Sequence, residues 1–406
     1  MIDLQERLAE LESSGLRRRL RVVDGQQGPQ VLLEGRPVLL LCSNNYLGLA
    51  DHPRLRRAAA DAALSLGTSA GASRLISGSM SIHAELESRL AEFKGTEAAL
   101  LFGSGYLANT GTIAALARRG EVVLSDELNH ASIIDGCRLA GAETFVYRHA
   151  DTEHLAWGLR RAAGRAALIV TDGVFSMDGD IAPLPELADL ARRHGCRLLV
   201  DEAHATGCLG PGGRGSVAAA GLSGEVDVIV GTLGKALGGY GAYVCGSAET
   251  VDFLINSARP FIFSTAPPPP AVAAAMAALE LLSEDPERIA RLRANATALR
   301  EELRNECLEP IGSETQIIPL VVGGADDAMA LCERLLAEGV FAQAIRPPTV
   351  PPGTCRLRLT TMATHRVADL RRAAGLIGAA ARDLGLTARP DGSASLAEAA
   401  PLTEAA

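Results

Sequence analysis

Residues 197–235 read RLLVDEAHATGCLGPGGRGSVAAAGLSGEVDVIVGTLGK. Two apolar runs, Arg197–Asp201 and Val226–Gly231, flank a segment rich in glycine. Each run is too short for a globular helix and lacks the polar alternation of a half-exposed strand, so both read as strands buried on two faces. Each also ends in reactive side chains: Asp201–Glu202–Ala203–His204 after the first, Gly231–Thr232–Leu233–Gly234–Lys235 after the second.

Working outward, the same pattern recurs at Ala98–Phe102, Glu121–Ser125, Glu143–Tyr147, Ala167–Thr171 and Gly241–Gly246, with helical stretches between most of them. Seven such runs describe a seven-stranded, mostly parallel α/β sheet. The last two runs are joined by a Gly-rich link with no clear helix, which predicts one antiparallel strand. The chain then divides into an arm over 1–45, opened by a helix with leucines at 4, 8 and 11, and a large ligand-binding domain over 46–265. A smaller C-terminal α+β domain follows over 266–386: a helical stretch 271–307 broken near Asp285–Pro286, strands near 317–322 and 355–360, and a helix at 326–338. The Ala-rich, polar tail 387–406 is expected to be disordered.

Composition narrows the function. The 406 residues carry 39 basic against 48 acidic side chains, a net charge of −9, which speaks against a nucleic-acid partner. The cluster Arg17, Arg18, Arg19 and Arg21 reads by itself as a solvated helix face. No apolar run reaches the roughly 18 residues that span a bilayer, and the start is unlike a signal peptide. Eight cysteines, at 42, 137, 196, 208, 245, 307, 332 and 355, form no CxxC pair. They read as reduced thiols of a cytoplasmic protein rather than disulfides or a metal site. Only two of the 39 basic residues are lysines, Lys94 and Lys235, and arginine cannot lose its proton to act as a nucleophile. Lys94, before Gly95, reads as a helix C-terminal cation, so replacing it is expected to leave the site intact.

Ligands of open α/β sheets bind at the carboxyl ends of strands. There the chain gathers Gly103–Ser104–Gly105–Tyr106, Asp126 with Asn129 and His130, Asp172 through Ser176, Asp201 with His204, and Thr232 with Lys235. GSGYLA alone resembles a dinucleotide fingerprint and supports a remote alternative, a NAD-binding oxidoreductase; the box Asp201–His204 suggests a helicase, but no phosphate loop accompanies it. The whole set instead meets the needs of pyridoxal phosphate. Lys235 supplies the amine, Asp201 the carboxylate for the pyridine nitrogen, His130 the stacking ring and His204 the donor to the phenolic oxygen. Thr232 and the Gly105–Tyr106 backbone form a phosphate cup.

Nine segments carry a resemblance: SNNYLGLADHP (43–53), SAGASRLISG (69–78), LFGSGYLAN (101–109), DELNHASIIDG (126–136), TDGVFSMDGDIAPL (171–184), VDEAHATGCLG (200–210), TLGKALGGYGAYV (232–244), FSTAPPP (263–269) and AIRPPTVPPGTCRLRLT (344–360). On these the chain resembles the α-oxoamine synthase family of fold-type I pyridoxal-phosphate transferases. The resemblance implies decarboxylative condensation of an amino acid with an acyl thioester. Ala344–Pro351 points to L-alanine and a pimeloyl thioester, on coenzyme A or acyl carrier protein, in biotin synthesis. Sibling reactions with glycine or serine are the alternative. It implies Lys235, His130 and Asp201 as catalytic residues, and Ser176 against the cofactor beside His204. Arg17, Asn45, His130, Arg346, Thr349 and Arg358 would contact substrate, Arg358 clamping the amino acid's carboxylate. It further implies a homodimer with a shared active site, Thr265 reaching the partner's phosphate.

Overall fold

The computed structural model describes residues 2–386; the tail 387–406, expected to be disordered, lies outside the described residues. Its central sheet consists of β1 (Ala98–Phe102), β2 (Val122–Asp126), β3 (Glu143–Tyr147), β4 (Ala166–Asp172), β5 (Arg197–Asp201), β6 (Val228–Thr232) and β7 (Ala242–Gly246). The order across the sheet is β1-β7-β6-β5-β4-β2-β3. Pairing is parallel from β3 through to β6, while β7 runs antiparallel to both β1 and β6. The link from β6 to β7 is too short for a helical crossover, so the chain must turn back.

The two-residue side-chain period of a strand sorts the apolar runs onto two faces. Leu198, Val200 and Ile229 pack into the core on one side with Tyr243 and Cys245. Leu199, Val228 and Val230 pack into the other with Val123, Val170 and Val244. Each fully buried Val, Leu or Ile contributes about 1.5–3 kcal/mol, and a strand with water on neither face has no position left for a polar residue. Polar groups therefore collect at the strand ends. Asp172 pairs in register with Asp201, and Thr232 faces Ala242, so β4, β5 and β6 deliver their last residues to one edge.

Helices Pro269–Glu284 and Glu287–Asn305 are interrupted at Asp285–Pro286, where the expected break falls. A three-stranded antiparallel sheet follows, with Cys355–Thr360 between Ile317–Gly323 and Gln343–Ile345. Alternation along the middle strand sends Leu357 and Leu359 into a core with Leu39 and Leu41, leaving Arg356 and Arg358 on the opposite face. The N-terminal hairpin Gln30–Leu33 and Arg36–Leu40 extends this region through parallel pairing of Leu39 and Leu40 with Val340 and Phe341. These strands are absent from the sequence reading: Arg36–Pro37 is a poor local strand signal, and the outer edge of Arg36–Leu40 is completed only by residues some 300 positions away. The opening helix forms over Leu4–Ser13, capped by Asp3, but buries none of its residues against the chain.

Candidate active site

The lysine follows β6 in a turn closed by Thr232, whose hydroxyl accepts from the Gly234 amide at 3.1 Å and donates to the Gly241 carbonyl at 3.1 Å. Gly238 in this turn has φ +63°, and a Cβ there would lie 2.5 Å from the Leu49 carbonyl carbon, so no side chain fits. Lys235 Nζ sits 2.8 Å from His204 Nε2. Burial and the nearby Arg358 guanidinium pull its pKa down to about 8, against the opposing pull of Asp201 and Asp172.

His204 lies in the turn after β5. Its Nδ1 is 2.7 Å from the Tyr46 hydroxyl, and burial, then the charges of Lys235 and Arg358, hold it well below histidine's ordinary pKa. Tyr46 is fully buried and bonds Asn44 Oδ1 at 2.9 Å. Arg358 donates to the same two groups, 3.2 Å to Asn44 Oδ1 and 3.1 Å to the Tyr46 hydroxyl, and its Nε donates to the Ser176 carbonyl. A continuous chain of polar contacts thus runs Lys235–His204–Tyr46–Arg358. Tyr46 was not singled out in the sequence; the available signal was a lone tyrosine in the Asn-rich stretch Ser43–Tyr46.

Asp201 is buried and accepts from the Ala203 amide at 2.8 Å and from Asn109 Nδ2 at 2.6 Å. Asn109 sits on the helix Gly105–Leu116, at the end of LFGSGYLAN, where the sequence gives it no role of its own. His130 caps the helix Ala131–Ala140, its Nδ1 lying 2.7 Å from Ser132 Oγ, and its amide donates to Asp172 Oδ2 at 2.8 Å. Burial lowers the His130 pKa, with Lys235 acting the same way and Asp201 against. Asp172, gathered at this edge in the sequence without a role of its own, is pushed well above the usual carboxylate range by burial and by the neighbouring Asp201.

Gly105 and Tyr106 open the Gly105–Leu116 helix, with Ser104 as its cap accepting from the Leu107 amide at 3.3 Å. The Tyr106 ring is exposed, and its hydroxyl donates to Asp135. Thr265 is exposed and forms a β-bridge with Ser73. Arg17, Arg346 and Thr349 come together instead in a cavity of about 870 Å³ shared with Arg18, Arg19 and Arg21. There Arg17 pairs with Glu12 at 2.9 Å and Arg346 donates to the Gly15 carbonyl. The side chain of Asn45 bonds backbone, donating to the Gln27 carbonyl at 2.7 Å and accepting from the Leu49 and Ala50 amides at 2.9 and 3.1 Å, while Asn44 is the residue that meets Arg358.

Lys94 ends the helix Ser81–Lys94 ahead of a left-handed Gly95, as the sequence indicates, and it is buried, with Nζ 2.5 Å from Glu202 Oε2, 2.9 Å from Thr206 Oγ1 and 2.6 Å from the Arg214 carbonyl. There it neutralises the acid adjoining Asp201.

A family model described as aminotransferase class I and II matches residues 36–377. An 8-amino-7-oxononanoate synthase of Geobacter sulfurreducens is 56% identical over 384 residues, covering 93% of this chain and 98% of the relative. The chain belongs to the 8-amino-7-oxononanoate synthase branch of the aminotransferase class I and II family. Its fold is that of the fold-type I transferases, and its cofactor is pyridoxal phosphate. A solved structure of SPT (serine palmitoyltransferase) with PLP superposes with a TM-score of 0.89 at 35% identity, over 94% of this chain and 98% of that one. The 8-amino-7-oxononanoate synthase of Francisella tularensis gives 0.74 at 28% identity, over 85% and 98%. The residues present fit the cofactor. Lys235 offers an amine whose hydrogen bond is to an uncharged imidazole, Asp201 a buried carboxylate, His130 an imidazole ring, and Gly105 a helix N-terminus.

Proposed function

We propose that this chain condenses L-alanine with a pimeloyl thioester to give 8-amino-7-oxononanoate, carbon dioxide and a free thiol, a step of biotin synthesis. The observation that carries the reading is a lysine of depressed basicity wired through His204 and Tyr46 to a buried arginine. The reaction forms a bond between alanine's α-carbon and the thioester carbonyl, breaks the C–S bond, and releases the alanine carboxylate as carbon dioxide. Pyridoxal phosphate, held by the Lys235 amine, supplies the sink for the electrons left when the α-proton departs. Asp201 would face the pyridine nitrogen, His204 the phenolic oxygen, and Thr232 with the Gly105 and Tyr106 amides the phosphate.

Lys235, once free, serves as the general base. A pKa near 8 leaves a useful fraction unprotonated at neutral pH while keeping the amine basic enough to take a carbon-bound proton. The planar fork of Arg358 suits the alanine carboxylate, with Asn44 and Ser176 holding the guanidinium in place. Arg17, Arg346 and Thr349 would receive the acyl thioester in their arginine-lined cavity, its carrier being coenzyme A or acyl carrier protein. A homodimer, with Thr265 directed to the partner's phosphate, fits the exposed Phe263, Leu75 and Ile76 near the Ser73–Thr265 bridge. Eight free thiols suit a cytoplasmic setting.

Serine with a long-chain thioester is the second reading, favoured by the 0.89 superposition on SPT. The 56% identity to an 8-amino-7-oxononanoate synthase against 35% to SPT weighs the other way. Holoenzyme assayed by thiol release and product mass, with alanine, glycine and serine against pimeloyl, acetyl, succinyl and palmitoyl thioesters, decides between them. Highest kcat/KM for any pair other than alanine and pimeloyl thioester would overturn the proposal.

A further inference from the structure

Four side chains connect the two arms of the cofactor site. Asp201 Oδ2 accepts from Asn109 Nδ2 at 2.6 Å, Asn109 Nδ2 also donates to Ser132 Oγ at 2.9 Å, and Ser132 Oγ lies 2.7 Å from His130 Nδ1. The direction of each bond follows from what each group can donate. A carboxylate only accepts, so the amide of Asn109 must present its NH2 to Asp201; rotated by half a turn, two acceptor oxygens would meet at that distance. Its second N–H then points to Ser132 Oγ. That hydroxyl, having accepted, turns its own proton toward His130 Nδ1, and the Ser132 amide points to the same nitrogen at 3.2 Å.

Asn109 Oδ1 is buried without a partner among the described residues. An orphaned buried acceptor is unfavourable, and the amide keeps it because the NH2 is claimed on the other side. The orientation is therefore imposed from Asp201.

We propose that Asn109 and Ser132 are positioning residues that hold His130 as the neutral tautomer with its proton on Nε2. With two donors converging on Nδ1, that nitrogen has no room for a proton, and no group among the described residues bonds Nε2. The lowered basicity of His130 agrees with a ring kept uncharged. The consequence divides the labour of the site: His130 is a hydrogen-bond donor to an oxygen that gains charge during the reaction, and Lys235 alone is the base. The tautomer follows from the hydrogen bonds; its catalytic use rests on the pyridoxal-phosphate reading.

Long-range nitrogen–proton NMR of ¹⁵N-histidine-labelled holoenzyme tests this, with His130 assigned by the signal lost in His130→Asn. The wild type should show Nε2–H at neutral pH. Ser132→Ala should raise the Nδ1–H population about fivefold, the ratio one ordinary hydrogen bond represents, and lower kcat by a similar factor while cofactor affinity holds. Ser132→Thr should restore both, and Asn109→Leu should shift the tautomer in the same direction as Ser132→Ala. A wild-type ring that is Nδ1–H or doubly protonated, or a tautomer ratio that Ser132→Ala leaves unchanged, overturns the proposal. Failure of the wild type to bind pyridoxal phosphate would break the functional reading instead, and the NMR result would stand apart from it.

Discussion

Lys94 and Lys235 are the chain's two side-chain amines, and the fold treats them in opposite ways. Lys94 is enclosed with a carboxylate, a hydroxyl and a carbonyl, so its three protons all find acceptors. Burial works against its charge, but Glu202 and Tyr243 outweigh that and push its pKa above lysine's ordinary value. Glu202 is satisfied on its other oxygen by Ser216 Oγ at 2.9 Å and the Val217 amide at 2.7 Å. Gly215 has φ +112°, and a Cβ there would fall 2.2 Å from Glu202, so the loop closes on the ion pair with no space left. Lys235 meets an imidazole that burial keeps neutral and an arginine nearby, and its pKa falls to about 8. A lysine given a counter-ion becomes structural. One denied a direct counter-ion becomes reactive.

The largest expected effect is on turnover. Lys235→Met should lower kcat by at least about 10⁴-fold, the upper range of general-base contributions, and abolish the visible absorbance of the lysine-bound cofactor. Retention of that absorbance would mean another amine holds the cofactor. Next, Lys94→Met should destabilise the fold by about 3–5 kcal/mol in denaturant titrations, because it strands a buried carboxylate. The double variant Lys94→Met/Glu202→Leu should recover most of that loss. A Lys94→Met variant as stable as wild type would show the pair to be dispensable.

The comparison sharpens with pH. Lys235 has a folded pKa of about 8 against an ordinary 10.5, so folding disfavours its proton. Below pH 8 the amine is charged in both states and the folded state bears the full penalty. Between 8 and 10.5 the unfolded chain holds more protons, so stability rises with pH until the penalty is gone. The apo form of Lys235→Met should therefore be more stable than wild type at pH 7 by roughly 3 kcal/mol, a margin that vanishes near pH 10.5. The two lysines would then give stability changes of opposite sign. Equal or lower stability of the apo variant at pH 7 would contradict the depressed pKa. The smallest effect is expected for Tyr46→Phe, which removes the hydroxyl between His204 and Arg358. The KM for the amino acid should rise by about tenfold, the upper end of one hydrogen bond's worth. An unchanged KM would place Arg358 outside amino-acid binding.

Much of the site is legible in the chain because strands of a parallel sheet are continuous apolar runs, and their carboxyl ends are where polar residues resume. Asp201, His204, Thr232 and Lys235 are each read directly from such ends. Asn109 and Tyr46 are not, because an asparagine inside a helix and a tyrosine in a loop look the same whether or not an acceptor waits across the fold. The strands at 30–33 and 36–40 were missed for a related reason. Their edge is completed by residues 340–341, and Arg36–Pro37 is a poor local strand signal.

By itself, the sequence determined the central strands, the edge at which the chemistry gathers, and that one of two lysines had to serve as the amine. Short-range apolar periodicity and residue chemistry suffice for that. Which lysine holds its proton tightly and which loosely, which asparagine faces Arg358, and which way the hydrogen bonds run toward His130 were decided by tertiary structure alone. A pKa or a tautomer is set by desolvation and by partners within about 3 Å, and those partners are brought together from separate strands and helices.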